Sequence, residues 1–173
     1  MRMPLIVRWP GRVEAGSRCQ AMVQNIDYAP TLLAAAGVEL DWDAHGISLL
    51  PLLLGGGVTP QDWRDTLYYR YIDGGHGVAQ HSAIRTNDSK LLYFDAPRNE
   101  AEAESRWELF DLKADPQEMN NLAADPAQAS RLESLKKRFW AARKYYDDTD
   151  EDVWKRGRTK QYAPEDYIRP RRK

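Results

Sequence analysis

Four short β-prone stretches followed by one long helical stripe constrain the fold of this chain more than any other feature of its sequence. Leu67-Tyr68-Tyr69-Arg70-Tyr71-Ile72 is rich in aromatics, residues 81–86 and 90–94 flank the polar turn Asn87-Asp88-Ser89, and residues 107–112 follow an acidic loop. Runs of this length and composition between turn residues predict strands, and the closely spaced middle pair predicts a hairpin. The period then lengthens. Asp125-Pro126 reads as the cap and first position of a helix, and Leu132, Leu135, Phe139, Ala142 and Tyr146 recur at spacings of three and four. That draws one apolar stripe, with Arg131, Glu133, Lys136, Lys137 and Arg143 mostly off it. A stripe and a half-apolar sheet must each bury against something, so residues 63–146 predict a small antiparallel four-stranded sheet packed by a long helix.

Residues 1–62 have a different texture. Pro4-Leu5-Ile6-Val7-Arg8-Trp9 is a short apolar run closed by Pro10-Gly11, which reads as a buried strand entering a turn. A polar loop follows, then residues 25–37, in which Asn25 or Asp27 can cap a helix, Pro30 fits its first turn and Gly37 suits a left-handed end. Ser48 is placed to cap a second short helix ending at Gly55-Gly56-Gly57. This is one α/β unit, and one unit cannot cover both faces of so apolar a strand. An exposed edge or an uncovered face is expected at residues 4–9. Residues 147–173 lose periodicity, begin acidic and end Arg169-Pro170-Arg171-Arg172-Lys173, and read as a polar, basic tail.

Composition excludes several function classes. The 25 Lys and Arg against 26 Asp and Glu in 173 residues leave no global field to recruit nucleic acid. The apolar run before Arg8 is far too short for a signal sequence or a membrane span, so neither is expected. The single Cys19 excludes an internal disulfide framework or a cysteine-rich zinc site, and no base lies near it in sequence. His76 and His81 lie five apart across Gly74-Gly75-His76-Gly77, unlike the helical zinc pair, and no third ligand accompanies them. A glycine-flanked histidine before a strand, with Arg85 and Lys90 close by, suits contact with an anion, or an ordinary surface loop. The acids around 147–152 would need glycine where Val153 stands and an acid where Thr159 stands to make an EF-hand. No metal ligands are assigned in this chain, nor any catalytic residue.

The order of the segments carries a resemblance. Pro4-Leu5-Ile6-Val7-Arg8-Trp9-Pro10-Gly11, then Asn25-Ile26-Asp27-Tyr28-Ala29-Pro30-Thr31-Leu32-Leu33, then Gly46-Ile47-Ser48-Leu49-Leu50-Pro51-Leu52-Leu53, then Ile84-Arg85-Thr86 with Lys90-Leu91, then Trp107-Glu108-Leu109-Phe110-Asp111-Leu112 with Asp115-Pro116-Gln117-Glu118-Met119-Asn120-Asn121-Leu122 resembles the C-terminal part of the type I sulfatases. These are formylglycine-dependent, arylsulfatase-like enzymes of the alkaline-phosphatase superfamily. The resemblance implies an α/β fold: residues 1–62 as the end of the large catalytic sheet, and residues 63–146 as the C-terminal subdomain. It also implies hydrolysis of a sulfate ester on a sulfated sugar or glycosaminoglycan, with formylglycine as nucleophile source and calcium at the sulfate oxygens.

The departures are as informative. The family makes formylglycine from cysteine in Cys-x-(Pro or Ala)-x-Arg, and Cys19 meets Ala21 but has Val23 where the arginine belongs. The calcium aspartates belong to a region before Pro4. The resemblance therefore implies a chain inactive alone, whose partner is a missing N-terminal sulfatase domain. In the family this subdomain helps shape the substrate pocket, which implies substrate contact for His76, His81 and Arg85. A stand-alone module binding sulfated glycans through those residues and the basic tail is the alternative, and a fragment that does not fold alone is a third. The compartment is left open.

Overall fold

The computed structural model describes residues 4–72, 79–94 and 105–148, so His76 and the tail from 149 onward lie outside the described residues. Contacts divide the chain after Leu67 into two units.

In the first unit, residues 4–9 form no ladder among the described residues. The expected strand is not formed among these residues, and Leu5, Ile6 and Val7 are 40%, 89% and 39% exposed. A strand needs a neighbour for its amides and carbonyls, and among the described residues this segment has none. A 3-10 turn at Asn25–Asp27 leads into α1, Tyr28–Ala35. Gly37 ends it with φ of 71°, and the Val38 amide reaches back to the Leu33 carbonyl, as left-handed helix ends require. Helix α2 runs over Leu50–Leu54, with the Ser48 hydroxyl accepting from the Leu50 amide at 3.3 Å.

Asp27 acts at the helix start, but at the 3-10 turn, where its carboxylate takes the Gln24 amide in a capping box. Its carboxylate does not cap α1; it is fully buried and accepts from the Gln24 and Ile47 amides and from both terminal nitrogens of Arg64. Thr31 extends the knot, donating to the Asp27 carbonyl and accepting from the Leu49 amide. Gly46 permits the approach: a Cβ there would lie 2.0 Å from the Ile26 carbonyl oxygen. Trp63 also belongs with this unit, donating from Nε1 to the Met22 carbonyl at 3.0 Å.

The second unit holds the expected sheet and helix. Strands β1 (Leu67–Tyr71), β2 (His81–Arg85), β3 (Ser89–Phe94) and β4 (Arg106–Asp111) lie side by side in chain order. The β2–β3 hairpin pairs Ala83 with Leu92 and Arg85 with Lys90, and β3–β4 pairs Leu91 with Leu109 and Phe94 with Arg106, both antiparallel. Asp125 caps a 3-10 turn at Pro126–Gln128, accepting from the Ala127 amide, and α3 follows over Ala129–Tyr145. Its stripe lies on the sheet: Leu135 and Phe139 bury against Ile84, Leu91 and Leu109, with Leu132 and Ala142 beside them. The opposite sheet face buries Ala83, Leu92 and Phe110 together with Leu112.

Polar side chains fix the rims. Arg131 of α3 donates to the Asp88 carbonyl, the Ser89 hydroxyl and the Asp111 carboxylate. Asp111 also accepts from the Lys113 and Ala114 amides. Along the edge strand β4, Asn121 Oδ1 accepts from the Leu109 amide while the Leu122 amide donates to the Leu109 carbonyl. At the other rim Asp148 is clasped by the Tyr68 hydroxyl and Arg70, so this part of the expected tail is tied to β1.

Candidate functional site

The sheet face away from α3 carries the candidate residues. Side chains alternate across a strand, so His81, Ala83 and Arg85 share one face of β2. His81 and Arg85 stand at opposite ends of that strand, about 13 Å apart at about 3.3 Å per residue, and do not touch.

His81 sits in an aromatic surround. It stacks on Tyr71 with ring centres 5.5 Å apart, meets Tyr69 edge-on at 5.7 Å and lies 5.3 Å from Phe94. Its Nδ1 is 2.9 Å from the Ala79 carbonyl, which can only accept, so Nδ1 carries the proton. In the neutral ring Nε2 is then an acceptor, and the Tyr69 hydroxyl is 3.5 Å from it. Arg106, paired across from Phe94, lays its guanidinium 4.0 Å over that ring and stays largely exposed.

Tyr69 links the two ends. Burial pushes its pKa up to about 12, with the Glu118 carboxylate adding to the rise and Arg85 opposing it. The phenol is therefore a neutral donor at any ordinary pH. Glu118 holds Lys90, the residue opposite Arg85, by an ion pair. It does so from a left-handed backbone with φ of 60°, sparsely populated by residues with a side chain. The face thus offers one neutral donor beside an oriented imidazole, with a permanent cation at the other end of β2. That set can hold hydroxyls and anionic oxygens. It contains no activated nucleophile.

Sequence reasoning named His81 and Arg85, and missed Tyr69, Glu118 and Arg106. The period-two alternation of Tyr69 and Tyr71 was a usable signal, since it puts both on one face; Glu118 had none.

The groups that the resemblance implies do not fit the described residues. No three His, Cys, Asp or Glu side chains among them converge in a metal-binding arrangement. Cys19 is exposed, with Sγ 3.7 Å from the Thr59 hydroxyl, and lies on a cleft of about 920 Å³ in the first unit that residues 4–10 also line. Val23, not an arginine, lines that cleft too. No helix among the described residues is long and apolar enough to cross a membrane.

Comparison with known proteins gives a consistent result. Residues 1–145 match the family described as N-sulphoglucosamine sulphohydrolase, C-terminal. The chain is 42% identical over 153 residues to an N-acetylglucosamine-6-O-sulfatase of Bacteroides thetaiotaomicron, covering 87% of this chain and 26% of that protein. It is 33% identical over 167 residues to arylsulfatase A of Bos taurus, covering 82% of this chain and 32% of the other. A solved structure in complex with its substrate D-glucosamine-2-N,6-O-disulfate superposes with a TM-score of 0.78 at 42% identity, over 87% of this chain and 30% of that one. The chain spans about a quarter to a third of the curated relatives it matches.

Proposed function

Because the chain belongs to the N-sulphoglucosamine sulphohydrolase C-terminal family and is the C-terminal part of an alkaline-phosphatase-like sulfatase, we propose that it forms the substrate-facing side of a hydrolase for sulfated sugars. The observation that carries this reading is the Tyr69 hydroxyl 3.5 Å from His81 Nε2, on the sheet face that Arg85 shares. The substrate class is a sulfated amino sugar, the chemistry for which the relatives at 42% identity are named.

In this reading Arg85 supplies charge to a sulfate, and the Tyr69 hydroxyl turns its single proton from His81 Nε2 to a sugar hydroxyl or sulfate oxygen, while His81 Nδ1 stays on the Ala79 carbonyl. His76, in the segment between β1 and β2, joins them from the sequence argument. Nucleophile and calcium ligands belong to an N-terminal sulfatase portion, the partner this chain requires, and the chain alone is inactive.

The test is a chimera. The chain should give no turnover of an aryl sulfate or of D-glucosamine-2-N,6-O-disulfate with calcium. Joined to the N-terminal portion of the Bacteroides relative it should restore turnover, with Arg85→Ala lowering kcat/KM about tenfold or more, the worth of one charge-assisted hydrogen bond. Turnover by the isolated chain, or a folded chimera that is inert, would overturn the proposal.

A further inference from the structure

Across the sheet, where α3 passes β3 and β4, a second group of rings reaches the surface. Trp140 is 45% exposed, with its indole centre 5.4 Å from Tyr93 and 6.1 Å from Trp107, and the buried Phe139 lies behind it. On a helix the neighbours of residue 140 are those three and four positions away. Here all four are cations: Lys136, Lys137, Arg143 and Lys144. The Lys136 ammonium lies 5.5 Å over Trp107 and the Arg143 guanidinium 5.4 Å over Trp140. Lys137 and Lys144 are exposed, and Glu133 pairs with Lys136 at 2.8 Å.

Tyr93 and Trp107 pack on the core around Phe139, and Trp140 is the ring that stands outside it. The apolar stripe is complete with Leu132, Leu135, Phe139 and Ala142. Crowding cations on one helical surface costs stability through repulsion. Arg143 is buried and donates to the Asp148 carbonyl, Lys136 is held by Glu133, and helix polarity favours positive charge only in the last turn, which accounts for Lys144 but not for Lys137.

We infer that Tyr93, Trp107 and Trp140 with the surrounding lysines form a second binding site, for a further stretch of a sulfated oligosaccharide. A pyranose ring presents a C–H face that suits an exposed indole, and its sulfates suit cations set on either side of that ring. The ligand class rests on the sulfated-sugar reading above, but the site does not share a residue with the Tyr69 face. The two lie on opposite sides of one sheet, so a polymer, unlike a monosaccharide, can engage both.

Titrating the full chain with a heparin-derived oligosaccharide, read by tryptophan fluorescence and calorimetry, tests this. Affinity should fall about tenfold or more between about 50 and 200 mM salt. Lys137→Glu with Lys144→Glu should weaken binding about tenfold, and Trp140→Ala about fivefold, with Trp140→Phe close to wild type. In the chimera the double lysine variant should keep kcat/KM on the monosaccharide disulfate, which separates failure of this site from failure of the sulfatase reading. Unchanged affinity in the double variant, no binding at low salt, equal binding of the desulfated sugar, or equally tight binding of single-stranded DNA would each overturn the inference.

Discussion

The two units of this chain are held by different physics. Between β1 and α3 the order comes from apolar packing: Ile84, Leu91, Leu109 and Phe139 are fully buried and enclose one another. In residues 4–67 the buried apolar side chains among the described residues are Pro30, Leu49 and Leu52, while Asp27, with no exposed surface, gathers three chain segments through charge and hydrogen bonds. The first kind of order tolerates change at its rim and fails when its centre is emptied. The second fails when one acceptor is lost, and leaves apolar surface such as Ile6 uncovered.

That contrast can be broken in order of expected effect. Phe139→Ala should destabilise the sheet-and-helix unit by about 3–5 kcal/mol, the cost of emptying a close-packed aromatic site. Urea unfolding followed by circular dichroism measures it, and a loss below about 1 kcal/mol would contradict a single core centred there. Asp27→Asn should cost about 2–3 kcal/mol, since charged hydrogen bonds to Arg64 become neutral or are lost. It should be visible as faster hydrogen exchange at the Gln24 and Ile47 amides, with the amides of β3 unaffected.

Acid should act more gently and on the second unit. The Ala114 amide first, then Arg131 and the Lys113 amide, pull the Asp111 pKa from 3.8 down to about 2. A carboxylate lowered by folding stabilises the native state above its ordinary pKa, and that contribution is lost as pH falls from about 4 to about 2. Asp111→Asn should flatten the stability profile across that window; an unchanged slope would mean that the Arg131 bond carries no linkage. Smallest of all, Ile6→Ser should shift stability by less than about 0.5 kcal/mol, because the side chain is already in water. A larger loss would mean that residues 4–9 are covered in solution.

Much of this architecture was legible because it is local. The Asn87-Asp88 turn between β2 and β3, the Asp125 cap and the three-four spacing of α3 each lie within one element and its neighbours. Gly37 announced its left-handed conformation by being a glycine after an apolar run. What escaped depends on partners far away in sequence. Asp27 reads as a cap, but the hold of Arg64, 37 residues on, upon its carboxylate is not in the local pattern. Residues 4–9 have the composition of a strand, yet hydrogen-bonded order belongs to a pair of strands, and no pattern within one of them can supply the other. At the candidate site His81 and Arg85 were readable from type and position, whereas Tyr69 emerged only from the face it shares and the charges around it.

The seal on β4 has a consequence for how copies of this protein meet. As the last strand of the sheet it would ordinarily present a row of unmet amides and carbonyls, a template on which a second molecule could zip its own strand. At Leu109 both groups are already occupied, one by the Asn121 side chain and one by the Leu122 amide. The middle of that border is plugged by the chain's own following turn, which interrupts the continuous edge-to-edge growth that seeds fibrils and leaves contact between molecules to side chains instead of backbone.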